Sequence, residues 1–158
     1  MSDCFDMDAL DRKIVEALQK DGALSHPDLA QKVGSTAPSC WRRVKQLEEA
    51  GVLRGVVRLA DPKLLGQTVK VICQVRMHSH TNENVAEFEA LMRGHPQVTE
   101  CYSMSGDWDY LLHVVAEDVE EYEKFLAHTL LKHPAVGAAS SHFALRTVKY
   151  ETALPIKG

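Results

Sequence analysis

The sequence contains no run of 18 apolar residues, which excludes a helix that spans a membrane. It has no basic-then-apolar leader either. The opening MSDCFDMDALD is acidic, so the expected location is the cytoplasm. Cys4, Cys40, Cys73 and Cys101 are scattered with no C-x-x-C pair, a pattern of reduced thiols with neither a disulfide frame nor a zinc site. Eight histidines form no H-x-x-x-H or mixed Cys/His set, which argues against a metal centre. Nucleophile motifs and glycine-rich phosphate loops are absent, so neither an enzyme nor a cofactor is expected. The remainder, 158 residues with 45% apolar and 25% charged side chains, is ordinary globular composition for one large or two small domains.

The formal net charge of −4 is unevenly spread. From Lys32 to Arg58 six basic residues (Lys32, Arg42, Arg43, Lys45, Arg54, Arg58) face two acidic ones, a local +4. Beyond Asp61 the chain is acidic, densest at Glu117, Asp118, Glu120, Glu121 and Glu123. Local charge sets phosphate affinity, and +4 is modest, so duplex DNA binding is expected to need two copies.

The basic stretch has the grammar of a helix-turn-helix. A first helix over Asp8–Lys20 carries Leu10, Ile14, Ala17 and Leu18 at helical spacing, with Asp6 or Asp8 near its N-cap. Ser25 caps a second helix with Pro27 near its start, and Gly34 breaks it. A third runs from about Thr36–Pro38 to Glu49. Cys40, Val44 and Leu47 share its inner face, and Pro38, Ser39, Arg42, Lys45 and Gln46 point away. Arg42 lies furthest from the core and is the best base reader, since arginine grips guanine bidentately. Arg43, on the flank, reaches phosphate or pairs within the domain. Ser35, Thr36 and Ser39 sit where free N–H groups and hydroxyls suit a phosphate oxygen, although Thr36 equally suits an N-cap. Trp41, at the border of the buried face, reads as packing. Val52–Leu59 alternates as a short hairpin or wing.

Asp61-Pro62 and Gly66 mark a boundary. Residues 1–52 are assigned to the helix-turn-helix, 53–66 to a strand and hinge, and 67–158 to a second domain. In that domain Thr68–Met77 alternates with Val69, Val71, Cys73, Val75 and Met77 on one face. Asn82–Arg93 is helical, and Val98–Met104 and Tyr110–Ala116 are strands joined by Ser105-Gly106-Asp107-Trp108-Asp109. Val119–Leu131 is a second helix and Val136–Tyr150 the last strand. The order β-α-β-β-α-β is the split, ferredoxin-like arrangement. Its helices cover one face of the sheet. Ile72, Leu111, Val115, Phe143 and Leu145 are expected on the other, where a second copy is the simplest cover. Asp107 and Asp109 lack a third ligand at metal spacing and read as turn formers.

PSCWRRVKQLEEAGVL, then DPKLLG, then SGDWDYLL within a βαββαβ half, resembles the Lrp/AsnC (feast/famine) transcription regulators over Asp8 to about Ile156. The resemblance implies an α+β protein: an N-terminal winged-helix-like helix-turn-helix plus a ferredoxin-like RAM- or ACT-like domain. It also implies homodimers that build tetramers or octamers, and regulation of amino-acid metabolism. The C-terminal SHFALRTVKYETALPI resembles a branch sensing leucine, methionine or cysteine. The hairpin that contributes to the effector pocket maps onto Met104, Ser105, Gly106, Asp107, Asp109 and Tyr110. The start of the last strand maps onto Ser140, Ser141, His142 and Phe143. A turn with free N–H groups and a carboxylate suits a zwitterion. The alternatives are a ligand-binding module acting through a protein partner, and a member without an effector.

Overall fold

The computed structural model describes residues 5–156, and Cys4 lies outside them. The chain divides into two compact units, one formed by residues up to 59 together with those from 149 onward, the other by Ala60–Val148. Among the described residues no helix is long and apolar enough to cross a membrane.

The first unit is built on three helices, α1 (Ala9–Lys20), α2 (His26–Val33) and α3 (Ala37–Glu49). Each starts where a side chain takes up free N–H groups. Asp8 accepts from the N–H of Leu10 and Asp11 at 2.8 Å each, and Asp11 accepts from the Asp8 N–H in return. Ser25 caps α2 and Thr36 caps α3. Gly34 ends α2 at φ +72°, the left-handed conformation that lets α3 leave at a new angle without a Cβ penalty. Ile14, Val15, Ala17, Leu29, Ala30, Val33, Cys40 and Leu47 form the core. The expected wing carries no strand. After the Val52 and Leu53 N–H groups bond to the Leu47 carbonyl, the chain runs extended and unpaired in secondary structure to Ala60, with Val56 and Val57 exposed.

The stretch from Lys149 groups with this unit and not with the sheet. The Gln19 side-chain amide bonds both backbone groups of Leu154, accepting its N–H at 2.6 Å and donating to its carbonyl at 3.1 Å. Ile156 packs against the three-helix core.

The second unit is a four-stranded antiparallel sheet in the order β2-β3-β1-β4, formed by β1 (Val69–Met77), β2 (Val98–Ser103), β3 (Tyr110–Ala116) and β4 (Val136–Phe143). Helix α4 (Asn82–Gly94) and helix α5 (Val119–Phe125) complete the expected βαββαβ order. Beyond α5 the coil widens over Leu126–Leu130, where the Leu131 N–H reaches back five residues to the Leu126 carbonyl. Val71, Cys73, Val75, Leu112 and Val114 bury one face against Phe88, Met92, Tyr122 and Phe125.

The last strand ends at Phe143, not Tyr150. β1 begins at Val69, so after the Ala144 N–H bonds the Lys70 carbonyl there is almost no neighbour left to pair with. Register also moves Phe143 off the open face. It pairs with Val71, which is buried on the helix side, and its ring meets Tyr122 edge-on at 5.4 Å. Ile72, Leu111 and Val115 keep their expected place on the open face, joined by Tyr102, which is half exposed and pairs with Leu111.

Candidate functional site

Helix α3 presents Pro38, Trp41, Arg42, Lys45 and Gln46 to solvent, with Ser39 and Ser35 half-buried beside them. This spacing of i, i+3, i+4, i+7 and i+8 makes one continuous stripe opposite buried Cys40 and Leu47. Arg42 has no hydrogen-bond or ion-pair partner among the described residues. Thr36 serves as the cap, its Oγ1 accepting the Ser39 N–H at 3.4 Å.

Arg43 takes the second of its two expected roles, pairing within the domain: its Nη1 donates to Asp8 and to Asp11 at 2.7 Å each, tying α3 to the start of α1. Those bonds raise its already high pKa, the Asp11 bond most. The signal was present, because Arg43 lies three residues after Cys40 and four before Leu47, on the inner face. Trp41 is the opposite case. The residue is 54% exposed, with the Lys45 ammonium 5.6 Å from its ring centre, so it stays largely outside the core.

In the sheet unit the β2–β3 hairpin closes through the Met104 N–H on the Asp109 carbonyl at 2.8 Å, with Gly106 at φ +112°. Asp109 turns inward to staple the end of β1. It accepts the Met77 N–H at 2.7 Å, and its second oxygen lies 2.9 Å from His80 Nε2. The His80 bond, then the Met77 N–H, hold its carboxyl below the usual range against the effect of burial. Arg76 donates to the Asp107 carbonyl at 2.9 Å and lies over the Trp108 ring at 4.7 Å. Sequence reasoning missed Arg76 and His80, which reach the hairpin only through strand register, and gave Trp108, within the turn, no role of its own.

The remaining effector candidates do not converge on one pocket. Tyr110 is buried on the helix side and donates to Glu89 at 3.1 Å, and burial, then that bond, push its pKa up to about 12. Ser141 faces the same side, 2.6 Å from the Tyr122 hydroxyl. Ser140 and His142 pair with Gln74 and Ile72 on the open face. Ser105 and Asp107 are exposed at the hairpin tip. A cleft of about 390 Å³ between α4 and β2, where Glu89 and Arg93 are paired at 3.6 Å, takes only Tyr110 of these candidates into its lining. Among the described residues no three metal-ligating side chains cluster.

The staple gives Asp109→Ala a structural cost. The substitution orphans the N–H of buried Met77, so the sheet unit should lose about 1–3 kcal/mol. Asp109→Asn keeps an acceptor there and should lose less. Urea denaturation followed by hydrogen exchange in β1 measures both, and equal stability of Asp109→Ala and wild type would refute the staple.

Residues 70–154 match the family description "Lrp/AsnC ligand binding domain", and residues 7–54 match "Winged helix-turn-helix DNA-binding". The Bkd operon transcriptional regulator of Pseudomonas aeruginosa is 39% identical, over 96% of this chain and 99% of its own. The leucine-responsive regulatory protein of Haemophilus influenzae is 36% identical, over 96% and 91%. A Neisseria meningitidis transcriptional regulator solved as a complex with L-methionine superposes with a TM-score of 0.92 at 33% identity, covering 95% of this chain and 97% of its own.

Proposed function

Because the chain belongs to the Lrp/AsnC family of DNA-binding transcriptional regulators, we propose that it reads duplex DNA with the outer stripe of α3 and senses a small amino acid near the Gly106 hairpin. It is a regulator with a ligand-binding domain, not an enzyme. The observation that carries the DNA reading is unpaired, exposed Arg42 at the centre of a polar stripe on a helix that leaves a left-handed glycine. Pro38, Arg42, Lys45 and Gln46 face the groove, while Ser35, Thr36 and Ser39 lie at the helix start, where hydroxyls and N–H groups suit phosphate.

The effector is an amino acid of the leucine, methionine or cysteine type, and the regulated genes belong to amino-acid metabolism. The methionine complex of the Neisseria relative supports that class. At the hairpin, exposed Asp107 suits the ammonium and Arg76 the carboxylate. Ser140 and His142 look out from the open face of the sheet. A second copy covers that face, with Ile72, Tyr102, Leu111 and Val115 as its apolar patch, and dimers assemble further into tetramers or octamers. The ligand then acts by biasing the assembly that spaces two α3 helices. Linkage requires DNA to change effector affinity by the same factor.

Two measurements on the full chain test this. The logarithm of the DNA association constant should fall with the logarithm of salt by about 0.9 per phosphate contacted. A flat dependence would favour a protein partner instead. Thermal shift across the twenty amino acids should single out the effector, because a native-state ligand raises the melting point by mass action. No shift with any of them would leave a regulator without an amino-acid effector.

A further inference from the structure

An indole left in water forfeits one of the largest apolar burials a side chain offers. Trp41 is 54% exposed although the core beneath it is closed by fully buried Cys40 and Leu47. It stands in the same stripe as Arg42 and Lys45, and the Lys45 ammonium lies over its ring, 5.6 Å from the centre, and 3.9 Å from the exposed Glu49 carboxylate, a loose pair that a phosphate can replace. The surface around the ring is therefore apolar at one point and cationic on its margins, with Lys32 also exposed at the end of the preceding helix. A partner that fits must offer anions and an apolar spot within one helical turn. The major groove of a duplex does so wherever a thymine 5-methyl lies between the phosphate rows. Base faces are closed to the ring by stacking, so the methyl edge is what an indole can touch.

We propose that Trp41 is a specificity-determining residue that packs its indole on a thymine 5-methyl in the major groove, while Lys45, whose ammonium lies over the ring, reaches a neighbouring phosphate. The assignment rests on α3 as the DNA-facing helix. It adds a preference that arginine contacts to guanine do not supply.

The test uses the full-length protein and a duplex selected by the wild type from a randomised pool. Recovery of such a duplex establishes the DNA reading by itself, so failure there and failure of the Trp41 assignment are distinguishable. Each thymine is then replaced by uracil, which removes one methyl and nothing else. For wild type, one or two positions should lose about fourfold in affinity, the worth of one buried methyl. Trp41→Ala should bind the selected duplex about tenfold more weakly, in the range of one lost base contact. It should bind an unrelated duplex within about twofold of wild type and be indifferent to uracil at those same positions. Trp41→Phe keeps an aromatic face and should retain part of the methyl effect. Insensitivity of the wild type to every uracil overturns the proposal whatever the variants do. So does uniform weakening of Trp41→Ala on both duplexes, which marks a phosphate contact or a damaged fold. Unchanged affinity overturns it as well, and would return the ring to a protein-facing role.

Discussion

Ending the chain after Val148 is expected to lower the melting temperature of the helix-turn-helix unit by roughly 8–24 °C, at about 4–8 °C per kcal/mol for a unit of this size. The sheet unit should melt where it did before. The three-helix core has only eight buried apolar residues, and small cores leave little margin. Ile156 contributes partial burial of one aliphatic side chain, worth about 1–2 kcal/mol. The paired bonds between Gln19 and Leu154 add about 1 kcal/mol net. Hydrogen exchange resolves the two units: amides of α1 to α3 should lose protection and those of β1 and β3 should not. Gln19→Ala should reproduce the smaller part and Ile156→Ala the larger. Full protection of α1 to α3 in the truncated chain would show that the tail only rests on the surface.

Adjacent arginines should behave in opposite ways. Arg42→Ala is expected to weaken binding to a selected duplex by about 10- to 100-fold, the loss of one bidentate base contact, and leave the melting curve unchanged. Arg43→Ala should leave the DNA-facing stripe intact and cost roughly 1.5–3 kcal/mol of stability, because Asp11, largely buried, loses its cation. Acid titration adds an independent reading. The capping N–H of Asp11, then Arg43, hold the Asp8 carboxyl below its ordinary value. A depressed carboxyl stabilises the fold above the unfolded pKa of about 4, and that contribution disappears as pH falls through the folded value. The acid limb should therefore be shallower in Arg43→Ala. Mobility shift and thermal denaturation of both variants separate the two roles. Loss of stability in Arg42→Ala, or loss of DNA binding by a fully folded Arg43→Ala, would reverse the assignment.

The helices were legible because their signals are local. Asp8, Ser25 and Thr36 each stand within three residues of the N–H they cap, and Gly34 supplies the left-handed turn between α2 and α3. The β1 alternation likewise names its own buried face. β4 gives no such phase: Gly137 through Ser141 are small residues, so nothing but its register with β1 decides that Phe143 faces the helices. The partners of Arg43, Asp109 and Gln19 lie 35, 32 and 135 residues away, and no periodicity records a bond across that distance. Trp41 was misjudged for a different reason. Hydrophobicity predicts burial only when there is a core left to fill, and here Cys40 and Leu47 had already filled it.

The Gln19–Leu154 bond has a consequence for the order in which the protein is made. Synthesis delivers α1 to α3 first, yet the segment that completes their packing emerges only after the whole of Ala60–Val148. At ordinary rates of about 5–20 residues per second, that interval is roughly 5–20 s. The sheet unit can therefore close while the helix-turn-helix unit is still loose. A chain clipped near residue 148 would preserve that order permanently, leaving a subunit that still presents the open face of its sheet but holds its reading helix poorly.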